Sequence, residues 1–399
     1  MKRIFWAGAV IFLMGCGTSK VATEAVTSVD NAEQKNAVLS ADTASVQDAP
    51  QVDLSALPET AVTVYTQGTA AFTLGDILPL MSDSGGYTQK WEFYIYTRPY
   101  EVRLKFEISN FAFSRNEGKV RGYVKRYEGD VEAETFEISQ NYKKGAWSAS
   151  SDHLDLVFGD YALKFADGQF HVSGTFERGD FAYEIPVKGW KPGSGNVYFG
   201  NSADKVFKYG VLTYHEPVTK GVVTVDGQPV HVNGRAYGNH YATTLNVYDM
   251  FDEVADFRKL SDDLLIEFRY YVPSAKYEAK PFGFMFVAFE GVPVLSATTL
   301  DRTTLETWLD DAHYGYEIDM RQEIVGHDGD NQARFRMLTG VPEAIDYYAD
   351  LPAFQRNIAS RFAKPIEYRI DMDWELDLSV DGYEAKIPAH GLYTVTRLR

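Results

Sequence analysis

The chain has 399 residues and a formal charge of −17, from 39 Lys and Arg against 56 Asp and Glu. So large a negative excess argues against nucleic acid and against docking on anionic lipid heads. Cys16 is the only cysteine, which excludes a disulfide within the chain.

The first residues carry a targeting pattern. Lys2 and Arg3 precede an apolar run from Ile4 to Met14, followed by Gly15 and Cys16. A basic start, a short apolar stretch and a small residue before the processing point make residues 1–15 a secretory signal, too short to span a bilayer. Leu13-Met14-Gly15-Cys16 looks like a bacterial lipobox, with Cys16 as the lipid attachment point. Each buried acyl methylene contributes about 0.8 kcal/mol, so two or three chains on one cysteine would hold the protein to a membrane essentially permanently. Gly17 rather than Asp follows the cysteine, the pattern of an outer-membrane, extracytoplasmic address in a diderm bacterium. From Gly17 to Val64 there is no Phe, Trp or Tyr. That stretch has too little large apolar surface to repay ordering, so residues 16–62 are expected to form a disordered tether.

Beyond it, period-two alternation dominates. EVRLKFEIS interleaves Val102, Leu104, Phe106 and Ile108 with Glu101, Arg103, Lys105 and Glu107. The pattern predicts a strand with its apolar face inside and its charged face in water. KVRGYVKR, with Lys119, Arg121, Lys125 and Arg126, is likewise expected to be the wet face of a strand. Around Ala166–Gly168 and Arg178–Asp180 the apolar spacing predicts an antiparallel meander with tight turns, and the Arg-Gly-Asp triplet is explained by its turn. The Gly, Pro, Ser and Asn density of residues 188–205 suggests a boundary. A faint repeat, DGQFHVSG from Asp167 against DGQPVHVNG from Asp226, fits either two related β-units or shared hairpin grammar. YDMFDEVADF reads as a short helix or an irregular strand, and Asp350–Pro365 as a late helix stopped by Pro365. RIDMDWELDLSV again alternates, with Ile370, Met372, Trp374, Leu376, Leu378 and Val380 on one face. The expected fold is all-β: tandem antiparallel barrels over 63–190 and 206–399, a linker over 191–205, and a peripheral late helix. Barrels of this size are either filled by side chains or hold one small ligand.

The stretch GRAYGNHYATT places Arg235, Tyr237, Asn239, His240 and Tyr241 close together. Three readings stay open. The polar groups pin two β-units together, or form the polar end of a ligand cavity, or catalyse proton transfer with His240 as acid or base beside Asp249 or Asp252. HDGDN, from His327, lacks the spacing and distal Glu of a calcium loop. No paired-histidine zinc motif, no nucleophile elbow and no Gly-rich nucleotide loop appears, so no metal or cofactor is expected.

GGYTQKWEFYIYT and YEVRLKFEISNFAF, GRAYGNH, LPAFQRNIASRFAKPIEYR and HGLYTV together resemble the two-domain, lipocalin-like calycin family of bacterial carotenoid 1,2-hydratases (hydroxyneurosporene synthases) and fungal survival-factor proteins. The resemblance implies tandem lipocalin-like barrels, an apolar ligand of isoprenoid or lipid type, and a second domain beginning at GRAYGNH. In the hydratases an acid near that signature is thought to protonate a terminal double bond. Here the acid position holds Asn239, and the aromatic residue that follows the histidine in that family is missing. The lipobox and the resemblance together suggest a membrane-anchored protein that binds a hydrophobic small molecule in a barrel cavity, with hydratase or cyclase activity and a ligand-free surface module as alternatives.

Overall fold

A computed structural model describes residues 53–398 apart from 72–74, 76, 112–113, 130, 151, 188–189, 262, 347, 350–352 and 362. The expected signal peptide, Cys16 and the tether up to residue 52 lie outside the described residues. Among the described residues the strands form three antiparallel sheets. The first runs β1 (Val62–Ala71), β11 (Trp190–Phe199), β12 (Val206–Pro217), β15 (Asn233–Thr243), β2 (Thr88–Arg98), β3 (Tyr100–Phe111), β4 (Ser114–Glu128) and β5 (Val131–Tyr142). The second runs β14 (Gln228–His231), β13 (Lys220–Val225), β10 (Gly179–Pro186), β9 (Gln169–Phe176), β8 (Tyr161–Ala166), β7 (Asp155–Phe158) and β6 (Ser148–Ala149). The third runs β19 (Val292–Ala297), β18 (Phe282–Phe289), β17 (Leu264–Pro273), β16 (Phe251–Leu260), β24 (Tyr383–Arg397), β23 (Ile366–Val380), β22 (Asn331–Asp346), β21 (Tyr316–Asp328) and β20 (Thr299–Asp310). The helices α1 (Val247–Met250) and α2 (Ala353–Ala359) are short. The ambiguous stretch from Tyr248 thus resolves into a turn of helix followed by a strand.

The first two sheets pack face to face as one lobe. Val102, Leu104, Phe106 and Ile108 of β3 meet Phe158, Leu163, Phe170 and Val172 of the opposing sheet in one core. The third sheet curls on itself to make the second lobe, bringing β18 towards β20 and β19 towards β21. Its interior is filled by rings, with Phe257 and Phe335 4.7 Å apart and Phe335 stacked on Trp374 at 5.6 Å. A third core, including Phe199, Phe207, Tyr209 and Tyr237 of the first lobe and Phe251, Leu265, Tyr271 and Phe284 of the second, fuses the lobes along a seam.

Several expectations need correction. Residues 191–199, read as linker, belong to β11, which pairs with β1 and β12. Residues 206–243 belong to the first lobe, because β12 and β15 lie inside its eight-stranded sheet and β13 and β14 extend its other sheet. The GRAYGNH segment therefore completes the first lobe, and the chain crosses to the second at α1. Close backbone approach accounts for the glycine that opens GRAYGNH: a Cβ on Gly234 would sit 1.8 Å from the carbonyl oxygen of Tyr96 on β2. The faint repeat is hairpin grammar. Asp167-Gly168 and Asp226-Gly227 are both turns with positive φ, and both hairpins lie in the same sheet.

The charged face of β3 is also not wet. Glu101, Arg103, Lys105 and Glu107 are buried, as are Lys119 and Lys125 on β4. Register explains how the face closes over. Lys90 on β2 and Lys119 on β4 both lie opposite Glu107, while Lys105 faces Glu92. Each row of charge thus meets a largely complementary row.

Candidate functional site

β15 is the central element of the site. It lies between β12 and β2, pairing Tyr237 with Tyr94, Asn239 with Glu92, His240 with Trp91 and Tyr241 with Lys90. Strand alternation splits the sequence candidates between two faces. Tyr237 and Tyr241 belong to the seam core, with Asn239 between them on the same face and half-buried Arg235 at its start.

His240 points the other way, against Trp91, with ring centroids 5.3 Å apart. Its Nε2 lies 2.8 Å from the Gln89 amide nitrogen, which also donates to the Leu78 carbonyl at 2.8 Å. The Gln89 oxygen accepts from the Leu80 N–H and the Tyr87 hydroxyl. With the amide so oriented, His240 Nε2 is an acceptor, and Gln89 ties both the Leu78–Leu80 loop and β15 to β2. Asp249 accepts from Asn246 at 3.0 Å and faces Lys276 at 3.8 Å, while Asp252 accepts the Ala275 N–H at 2.8 Å. The pairing of His240 with Asp249 that the sequence suggested is not among these contacts.

The second lobe supplies what the sequence reading missed. On β16 and β17, Ala255, Phe257, Ile266 and Phe268 enter that lobe's core, so the alternate residues Asp256, Arg258, Glu267, Arg269 and Tyr271 face the seam. Glu267 accepts from the Tyr209 hydroxyl at 2.7 Å, from Arg258 at 3.0 Å and from the Tyr237 hydroxyl. The Arg258 guanidinium lies 4.2 Å from the Tyr237 ring centroid and 4.8 Å from that of Tyr94. Arg103 reaches Tyr94 at 4.8 Å as well, and binds Glu92 through Nε at 2.8 Å and Nη2 at 2.6 Å. Arg269 lies 4.3 Å from the Tyr209 ring. These planar cations on aromatic faces weld the two lobes.

The electrostatics separate one carboxyl from the others. Burial pushes the Glu92 carboxyl up, but Arg103, Lys105 and Arg258 overcome it and bring it down to about 2. Burial raises Glu267 too, and Arg258 and Arg269 hold it below the ordinary carboxylate range. For Asp256 burial wins. Arg269 and Arg258 oppose it, Glu367 and Glu267 reinforce it, and the carboxyl is pushed up to about 6.

Asp256 Oδ2, Asn239 Nδ2, the Tyr241 hydroxyl and the Tyr271 hydroxyl are all buried without a hydrogen-bond partner. Three of them interact: Tyr241 feels the field of Tyr271, and Tyr271 that of Arg269 and Asp256, while Asn239 shares the face of Tyr241 two residues before it on β15. Burial raises both phenols, Tyr271 to about 12, so both stay protonated near neutrality. The arrangement offers three neutral donors and one carboxyl able to give or take a proton. Glu267 and Arg269, two residues apart in the otherwise apolar run LLIEFRYYVP, were a signal available in the sequence: charges inside a strand buried on both faces must pair.

No family model and no curated protein matches the chain. Among solved structures it is similar to an AttH protein from Nitrosomonas europaea, at 12% identity over 83% of this chain and 100% of that one, with a TM-score of 0.45. It is also similar to kievitone hydratase from Nectria haematococca, at 12% identity over 86% and 97%, TM-score 0.43. A third is CghA with Sch210972, at 9% identity over 85% and 98%, TM-score 0.39. At these identities and TM-scores the likeness assigns a role to no residue.

Proposed function

We propose that the seam binds a small molecule with an apolar body and a hydrogen-bonding end, and that Asp256 exchanges a proton with it. The observation that carries this reading is the cluster of four buried polar atoms without partners, contributed by both lobes. Each such atom costs about 1–3 kcal/mol, and an occupant with complementary groups would remove that cost. The seam is preferred to a barrel lumen in this reading because phenyl and indole rings fill the lobe interiors. Its donors suit a carbonyl or hydroxyl oxygen. A carboxyl at about 6 is partly protonated near neutrality, so Asp256 would supply the acid that Asn239 cannot. The fitting reaction class is proton-initiated addition of water or ring closure, that of a hydratase-like lyase or a cyclase. His240 keeps a positioning role in the first lobe.

Solvent extraction of the purified protein followed by mass spectrometry tests the reading. Wild type should yield an apolar, oxygen-bearing molecule, and Asn239→Leu with Tyr271→Phe should lose it. If wild type yields nothing and both variants are more stable than it, the atoms are merely strained and the reading fails. We also propose that lipid on Cys16 holds the protein at a membrane outside the cytoplasm, the lipobox being the supporting pattern. Cys16→Ser should then move the protein from the membrane fraction to the soluble fraction and abolish labelling by a radioactive fatty acid.

A further inference from the structure

Among the described residues His153, His313, His327 and His390 lie beside aspartates. Most of these pairs sit in water: the side chains of Asp152, Asp301, Asp371 and Asp373 keep 82%, 75%, 69% and 62% of their exposure. His313, in the turn between β20 and β21, differs. Its Nδ1 lies 2.8 Å from Asp310 Oδ2, and the Asp310 side chain is only 2% exposed. The same Oδ2 accepts the Tyr368 hydroxyl of β23 at 2.9 Å, while Oδ1 accepts the Ala312 N–H at 3.1 Å. Burial first, and Asp310 second, push the Tyr368 phenol up, so it stays a donor. A carboxylate only accepts, so the proton of the neutral imidazole sits on Nδ1. Nε2 has no partner among the described residues and is not enclosed, so its lone pair faces solvent.

We propose that His313 is a nucleophile for the acyl carbon of aryl esters, with Asp310 as its positioning residue. The surroundings suit a flat apolar group. Trp308 is exposed and meets the Tyr368 ring edge-on at 6.3 Å. Tyr314, next to His313, is exposed too and is held at a φ of 60°, a backbone that bulky residues rarely adopt. The Lys364 ammonium, 5.1 Å from the Tyr314 ring centroid, favours an acyl oxygen that gains negative charge. The Nε2 lone pair forms a C–N bond to the acyl carbon as the C–O bond to the aryl oxygen breaks, and the aryloxide leaves with the electron pair. Asp310 offsets the positive charge of the acylated ring. Water then adds to the acyl carbon and the C–N bond breaks. One water proton stays on the carboxylic acid, the other balances the aryloxide, and neutral imidazole returns. None of these side chains belongs to the seam core, so His313 acts independently of any seam ligand.

p-Nitrophenyl acetate on the intact protein tests this. Release of p-nitrophenolate gives the rate, and mass spectrometry of rapidly quenched peptides shows which histidine is acetylated. His313 should be acetylated before His153 and His327. His313→Gln should lose the fast release, and His153→Gln and His327→Gln should keep it. Nitrogen NMR of the neutral protein should place the His313 proton on Nδ1, against the Nε2 preference of imidazole in water. Asp310→Asn should reverse that tautomer and slow release. If that variant fails to fold by circular dichroism, the wild-type tautomer decides. Acetylation of His313 no faster than of His153, release unchanged in His313→Gln, or a proton on Nε2 in wild type would overturn the proposal.

Discussion

β3 and β23 carry the same alternation and meet opposite fates. In β3 the residues between the apolar ones, Glu101 to Glu107, are buried, whereas on β23 the side chains of Asp371 and Asp373 keep 69% and 62% of their exposure. The difference lies in the neighbours. The β3 row mixes signs and is flanked by rows that largely complement it, so it can neutralise itself away from water. The outer row of β23 is mostly acidic, Asp371, Asp373, Glu375 and Asp377, and Arg336, Lys386 and His390 offset it from the edge of solvent. A period of two reveals which residues share a face. Whether that face stays hydrated depends on the charges of strands that are remote in the chain.

The contrast can be broken most severely at Arg103. Arg103→Ala leaves Glu92 buried and uncompensated and should cost about 3–5 kcal/mol in urea unfolding. Arg336→Ala, which removes pairs to Glu323 on β21 and to Glu375 and Asp377 on β23, should cost no more than about 1 kcal/mol.

Lys105→Met acts in the opposite direction. The folded-state pKa of Lys105, about 8, lies below its unfolded value of 10.5, so its favourable contribution is present above 10.5 and is lost as pH falls through 8. Removing it should stabilise the protein by roughly 2–3 kcal/mol at pH 7, with the gain vanishing towards alkaline pH. At the seam, the folded pKa of Asp256 is raised from 3.8 to about 6, so its contribution is present below 3.8 and lost as pH rises through 6. Asp256→Asn should therefore be more stable than wild type by about 2 kcal/mol above pH 6, the difference closing in acid.

The smallest effect is expected on the wet face. A hydrogen bond to Asp373 raises His390 above 6.5, and Asp371 adds to this, so its contribution is full below 6.5 and fades as pH climbs through the raised value. His390→Ala should change stability by only a few tenths of a kcal/mol, and only on the acid side.

The alternation of Val102–Ile108 and of Ile370–Leu378, the tight Asp-Gly turns and the late helix were all readable in the chain, because each is a local pattern. The division into lobes was not. Residues 188–205 look like a linker by composition, and only pairing with β1 and β12 shows that the segment is a strand. The site was half visible. Tyr237, Asn239 and Tyr241 stand out in one segment, and alternation already places His240 on the opposite face. Asp256 did not stand out, because YDMFDEVADF contains four acidic side chains and nothing local says which of them is buried. Its altered acidity comes from Arg269 and Arg258 being too weak to offset burial, a balance set by tertiary packing.

β15 enters the first sheet between β2 and β12, so β2 must wait for a partner that leaves the ribosome long after it does. During synthesis the growing chain therefore carries an open ribbon edge next to a large aromatic surface, a combination prone to sticking to other chains. Completion of the lobe hinges on a late insertion, and such long-range closure is slow. For this protein, the cell's holding factors matter most in the interval before GRAYGNH slides into place.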